Sequence, residues 1–267
     1  MNGKINSYRN GTTPLGSIAK LPPDAVLSAA KKVTSMSLLL PGLAVGLSYA
    51  AYADDLAASV WPWRIGLFVT LACLLAPFVV YIKARRTNAL WACGTIAAIG
   101  IFAVYYFFGI FSYFYYFMFA PMSRLISWLG FFGGLALTVY WMIMIGRGVR
   151  CTIRSTSFVK TAFIIDGDVI SYRIQTGMRA FERLNKERLP FPKIYSYVVY
   201  GIAPFYLILN RIFSENFGPT GILLVLAILG MPVSLWFAGL LVRICLVMIV
   251  LPLKIEREQH RRVVVIE

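Results

Sequence analysis

The sequence contains a single histidine, His260, and only eleven acidic residues in 267. One imidazole cannot supply a histidine-based triad, a bis-histidine haem site or a multi-histidine metal centre. The four cysteines, Cys73, Cys93, Cys151 and Cys245, are scattered, with no C-x-x-C pair and no Cys/His spacing. Neither a disulfide framework nor a zinc site is expected. The phosphate-binding G-x-x-x-x-G-K-S/T loop, the G-x-S-x-G elbow, the H-E-x-x-H pair and the dinucleotide-binding glycine fingerprint are all missing. No catalytic residue, cofactor or metal ligand is therefore assigned, and a non-enzymatic protein is expected.

Charge of either sign is scarce: 14% of residues are charged and 59% are hydrophobic, with a mean hydropathy of +0.73. A soluble core of this length cannot bury that much apolar surface, so a bilayer must accept the surplus. The charge that is present is lopsided, with a formal net of +15. On one compact face this would point to nucleic acid. Here the basic residues sit between apolar runs, where they orient a membrane protein and meet anionic headgroups, so nucleic acid is not an expected partner.

The runs divide the chain into an expected cytoplasmic tail (1–34), a four-span region (35–146), a basic cytoplasmic loop (147–193), a two-span region (194–253) and a cytoplasmic C-terminal tail (254–267). Spans are expected near 35–53, 65–82, 89–119, 125–145, 194–209 and 221–242, each compared with the ~20 residues a bilayer core requires. Within the first tail, Pro22 and Pro23 precede Asp24 as a helix-start signal, and Val26, Leu27, Ala30 and Val33 recur at helical spacing, predicting a short helix. The third run is too long for a perpendicular helix and must tilt, break or leave the bilayer. The last apolar block, 221–253, is too long for one span and too short for two; Arg243 marks the boundary, with the helix continuing beyond it. Ala51-Tyr52-Ala53 has the small-x-small form of a signal-peptidase site, but the polar segment ahead of it is longer than a signal peptide's, so the span is expected to be retained.

On this layout the stretches placed inside hold 22 Lys and Arg, against Arg64, Arg124 and Arg211 outside. That bias puts both termini in the cytoplasm, and the short loops suit a bacterial inner membrane. The fold class expected is an all-α polytopic membrane protein of about six transmembrane helices, with a small hairpin and helix inserted between spans four and five.

Within the basic loop, Phe163-Ile164-Ile165 and Val169 to Ile174 flank Asp166-Gly167, a hairpin signal in which glycine supplies the positive φ of a type I′ turn. Asp166 and Asp168 also form a D-x-D string; with no second acidic cluster to complete a metal shell, turn chemistry is the expected role. A helix is predicted over 177–189, with Met178, Phe181 and Leu184 on one face. Arg179, Arg183, Lys186 and Arg188 lie elsewhere on it and are the candidate docking residues for anionic lipid or a protein partner. Whether its apolar face lies on the leaflet or against the protein itself is left open by the pattern. The final run, 263–266, is β-prone and can pair with the hairpin or with a partner's sheet edge.

Inside the spans, Gly42-x-x-x-Gly46 and Gly130-x-x-x-Gly134 predict close helix packing. Twelve of the eighteen residues from Phe102 to Phe119 are Phe or Tyr, a density expected to serve an interfacial belt and packing. No acidic group falls within a span, which argues against ion-coupled transport. The expected function is that of a membrane component of a larger secretion, conjugation or envelope-biogenesis assembly, which docks partners or anionic lipid through its basic loop. The alternative is a channel or facilitator for a small solute.

Overall fold

The computed structural model describes residues 25–85, 87–155, 157–166, 169–184 and 219–266, with the isolated positions 197, 201, 208 and 211. Among them, five helical runs are long and apolar enough to cross a membrane: Val26–Asp55, Trp61–Lys83, Leu90–Phe119, Arg124–Arg154 and Thr220–Gln259. The sixth expected span, 194–209, lies outside the described residues, apart from the isolated positions.

Helix α1 (Ala25–Ser48) passes without a break into a π-helical segment, π1 (Tyr49–Asp55). The short helix expected ahead of span one is therefore the first part of the span's own helix; no residue between Val33 and Ser35 stops the hydrogen-bond ladder. Helix α2 (Trp61–Lys83) begins with Pro62 in its first turn, where a missing N–H costs nothing, and ends at Lys83. The long third run does not break. It comprises α3 (Leu90–Tyr105), a second π segment, π2 (Tyr106–Phe114), and α4 (Tyr115–Phe119). The wider π turns accommodate the extra residues of that run with less rise.

Helix α5 (Arg124–Ser155) extends well past the expected end of span four, so Arg147, Arg150 and Arg154 ride on its last turns and not in a loop. The last block is one helical run: α8 (Pro219–Ile244), π3 (Cys245–Val250) and α9 (Leu251–Gln259). Its 40 apolar-run residues would rise about 60 Å at ~1.5 Å each, roughly twice the ~30 Å hydrocarbon core, so part of it projects beyond the membrane. The outward faces of α1, α2 and α5 carry Leu38, Leu39, Phe68, Leu75, Leu125 and Leu129, all exposed. A continuous apolar exterior of this kind is stable against acyl chains and not against water.

At one end of the bundle stands a small module. Helix α5 is followed by α6 (Phe158–Ala162), strands β1 (Phe163–Asp166) and β2 (Val169–Tyr172), and α7 (Ile174–Leu184). The strands pair antiparallel as expected, Ile165 opposite Ile170; Gly167 and Asp168 of the turn lie outside the described residues. The insertion is not a hairpin alone. Strand β3 (Arg262–Val265) joins it, parallel to β2, in the order β1-β2-β3. His260 makes this possible: with φ 53° it adopts the left-handed conformation that ends α9 and turns the chain into β3. Helix α7 begins earlier than its apolar pattern predicted, at Ile174.

One hydrophobic core runs through module and bundle alike. It includes Val26 of α1, Leu90 of α3, Met248 of π3 and Ile255 of α9 together with Phe158, Tyr172, Phe181 and Val263. A second core at the far end joins Tyr52, Tyr106, Phe111 and Tyr115 to Leu223 and Ala227 near the start of α8. The start of α1 and strand β3 thus share the sheet end. Helix α7 ends there too, whereas α8 begins at the opposite end.

Candidate functional site

The module's interior is built from rings. Phe158 of α6 meets Phe181 of α7 edge-to-face at 5.4 Å, and Phe163 of β1 lies 4.9 Å from Tyr172 of β2. Gly177 is the point of closest approach: a Cβ there would collide with the Tyr172 ring, so only glycine lets α7 cross it. From the bundle side the Arg243 guanidinium stands over the Phe181 ring, 5.1 Å from its centroid, a cation–π contact that ties α7 to α8. Burial raises the Tyr172 phenol to about 12, because the charged form would be poorly solvated, and its hydroxyl has no hydrogen-bond partner.

Strand β3 is held on both sides. Ile266 N–H donates to the Tyr172 carbonyl at 3.0 Å, and Val265 N–H donates to the carbonyl of Asn88, just ahead of α3, at 2.9 Å. Glu256 Oε1 accepts from Val263 N–H at 2.9 Å. The stretch expected as a C-terminal tail is therefore a structural strap joining the insertion to the base of α3. The opposite edge of the sheet, β1, carries exposed Ile164 and Ile165.

On the outside of α7, Arg179 and Arg183 are exposed, while Ala180 and Phe181 face inward. The helix's apolar face is thus covered by its own chain, which favours packing against the protein over lying on a leaflet. Lys186 and Arg188 fall outside the described residues. Arg173 and Lys160 extend the basic exterior, with Arg262 on the adjoining strand.

The glycine pairs separate sharply. A Cβ at Gly130 would overlap Phe117, and one at Gly134 would overlap Tyr113, whose hydroxyl donates to the Gly130 carbonyl at 3.0 Å. Gly42 and Gly46 meet nothing within 4 Å, so the close approach expected there is not made among the described residues. The tightest backbone approaches occur at glycines with no such motif. A Cβ at Gly94 of α3 would sit 2.7 Å from the Met248 carbonyl oxygen of π3, and Gly230 of α8 packs against Ser112 and the Phe108 carbonyl. Only three-dimensional proximity reveals these contacts.

Some polar groups inside the bundle are tied to neighbours, whereas the buried hydroxyls of Ser37, Ser48 and Tyr52 have no hydrogen-bond partner among the described residues. Tyr106 and Tyr115 share a 2.9 Å hydroxyl contact, Thr138 Oγ1 donates to the Gly134 carbonyl at 2.8 Å, and Ser112 Oγ donates to the Phe108 carbonyl. The aromatic run packs within the chain, with Phe108 stacked on Phe237 of α8 and Tyr52 set edge-on to Phe119. Among the described residues, no three His, Cys, Asp or Glu side chains converge as metal ligands. Asp166 stands at the end of β1, and Asp168 lies outside the described residues. No protein-family model, curated protein or solved structure matches this chain.

Proposed function

We propose that this chain is a non-enzymatic, multi-pass subunit of a larger envelope assembly in a bacterial inner membrane. Its basic sheet-and-helix module faces the cytoplasm and docks an acidic soluble partner. The observation that carries this reading is the shared core: Phe181, Tyr172 and Val263 of the module pack in one cluster with Val26, Leu90 and Met248 of the bundle. A module welded in this way transmits position and force to the membrane helices, which a tethered domain cannot do. The excess of Lys and Arg at that end supports a cytoplasmic orientation. Arg179 and Arg183 are exposed on a helix whose apolar face is already covered, so recognition there is by charge, which steers encounter and selects partners.

A facilitator, the alternative, needs a continuous polar path through the bundle; Thr138, Tyr106 and Tyr115 are engaged locally, whereas the buried hydroxyls of Ser37, Ser48 and Tyr52 have no hydrogen-bond partner among the described residues. The test is a crosslinking pulldown from native membranes of the tagged full chain, beside R179Q/R183Q. A defined set of partners recovered by the first and depleted from the second is the expected result. Recovery of the chain alone, or recovery indifferent to the two substitutions, would overturn the reading.

A further inference from the structure

Between α5 and α8, away from the module's rings, runs a groove of about 630 Å³. Its walls are Val139, Ile143, Leu241 and Leu246, and Gly146 forms part of its floor beside Val242. Two cations, Arg147 and Arg150, line its sheet-side end. Both are exposed and occupy successive turns of α5, and among the described residues no carboxylate lines the groove. Among the described residues neither guanidinium makes an ion pair or hydrogen bond.

We propose that this groove holds one anionic glycerophospholipid, its phosphate between Arg147 and Arg150 and an acyl chain along the apolar wall. The dimensions fit a single leaflet. From Val139 to Arg150 the helix rises about 16 Å at ~1.5 Å per residue, close to half of the ~30 Å hydrocarbon core. The charge pattern fits the same occupant, because cations at one end of an otherwise apolar channel match a molecule that is anionic at one end and hydrocarbon along the rest. Concavity distinguishes the groove from the convex exteriors of α1 and α2, where bulk lipid exchanges without selection. Gly146 supplies the depth: a Cβ there would reach ordinary contact with Val242 at 3.6 Å, and a longer side chain would grow into the channel.

The site is independent of the docking surface on α7, and the test separates the two. The purified full chain in mild detergent is titrated with phosphatidylglycerol, with phosphatidylcholine of identical chains, and with inorganic phosphate, and bound lipid is counted by native mass spectrometry. One retained phosphatidylglycerol is expected, favoured about tenfold or more over phosphatidylcholine and not displaced by phosphate. R147Q/R150Q and Gly146→Leu should each lose it, whereas R179Q/R183Q should keep it. A phosphatidylglycerol bearing a photoactivatable acyl chain should label the α5 and π3 peptides containing Ile143 and Leu246 in the unsubstituted chain, a readout that requires no variant to fold. Equal retention of both lipids, retention by R147Q/R150Q, full displacement by phosphate, or labelling spread evenly over α2 would overturn the proposal.

Discussion

Phe181 is the side chain on which the attachment of the module most depends. It is 2% exposed, meets Phe158 edge-to-face and lies under the Arg243 guanidinium. Truncating a buried Phe to Ala costs ~3–5 kcal/mol through lost transfer energy and the cavity left behind. The cation–π contact accounts for ~0.5–2 kcal/mol of that. Phe181→Leu keeps most of the volume but loses the ring's charge distribution, so its cost falls to about 1–2 kcal/mol.

These energies are read most directly as local opening. At ~1.4 kcal/mol per factor of ten, Phe181→Ala raises amide exchange of β2 and β3 by roughly two to three orders of magnitude, and Phe181→Leu by about one. Hydrogen–deuterium exchange of the reconstituted chain, followed on peptides containing Ile170 and Val263, provides the assay, with α2 peptides as an internal reference. The order Ala, Leu, unsubstituted chain is the critical outcome. Exchange in β2 and β3 that stays within about threefold of the unsubstituted chain in Phe181→Ala would show that the module holds its place without this ring, and the shared-core argument would fail.

Three further outcomes are expected. Gly94→Ala drives a Cβ against the Met248 carbonyl, a backbone atom that cannot swing aside, and should lower stability by ~1–3 kcal/mol in detergent melts. Gly46→Ala, facing open space, should instead be neutral or stabilising by up to about 1 kcal/mol from helix propensity; equal losses at the two glycines would refute the packing described. Alkaline pH should loosen the module. Burial holds Tyr172 neutral up to about 12, so its contribution is complete below the unfolded-state value near ~10 and is lost as pH rises through the folded value. Tyr172→Phe should flatten that part of the pH profile without weakening the fold at neutral pH, since the hydroxyl it removes has no partner; an unchanged alkaline limb in melts of the variant would contradict this.

Run length and hydropathy are local quantities, and they sufficed to place the five described helices that are long and apolar enough to span a membrane and to locate the hairpin at Asp166-Gly167. Local pattern also picked out α7 with Arg179 and Arg183 on its outer side, although it could not say what its apolar face would meet. What the sequence alone did not decide is which surfaces meet. Gly42 and Gly46 carry the spacing of a packing motif and face open space, whereas Gly94 carries no motif and abuts a carbonyl, because a glycine's role depends on what lies opposite it. The last residues were β-prone in isolation, but their parallel pairing with β2 joins segments some ninety positions apart, Ile170 with Val263. Such a partner is selected only once the helices have brought both strands to the same end of the bundle. The groove above Gly146 belongs to the same class: two arginines one turn apart are ordinary on one helix, and they become one end of a lipid-sized channel only when a second helix forms its other wall.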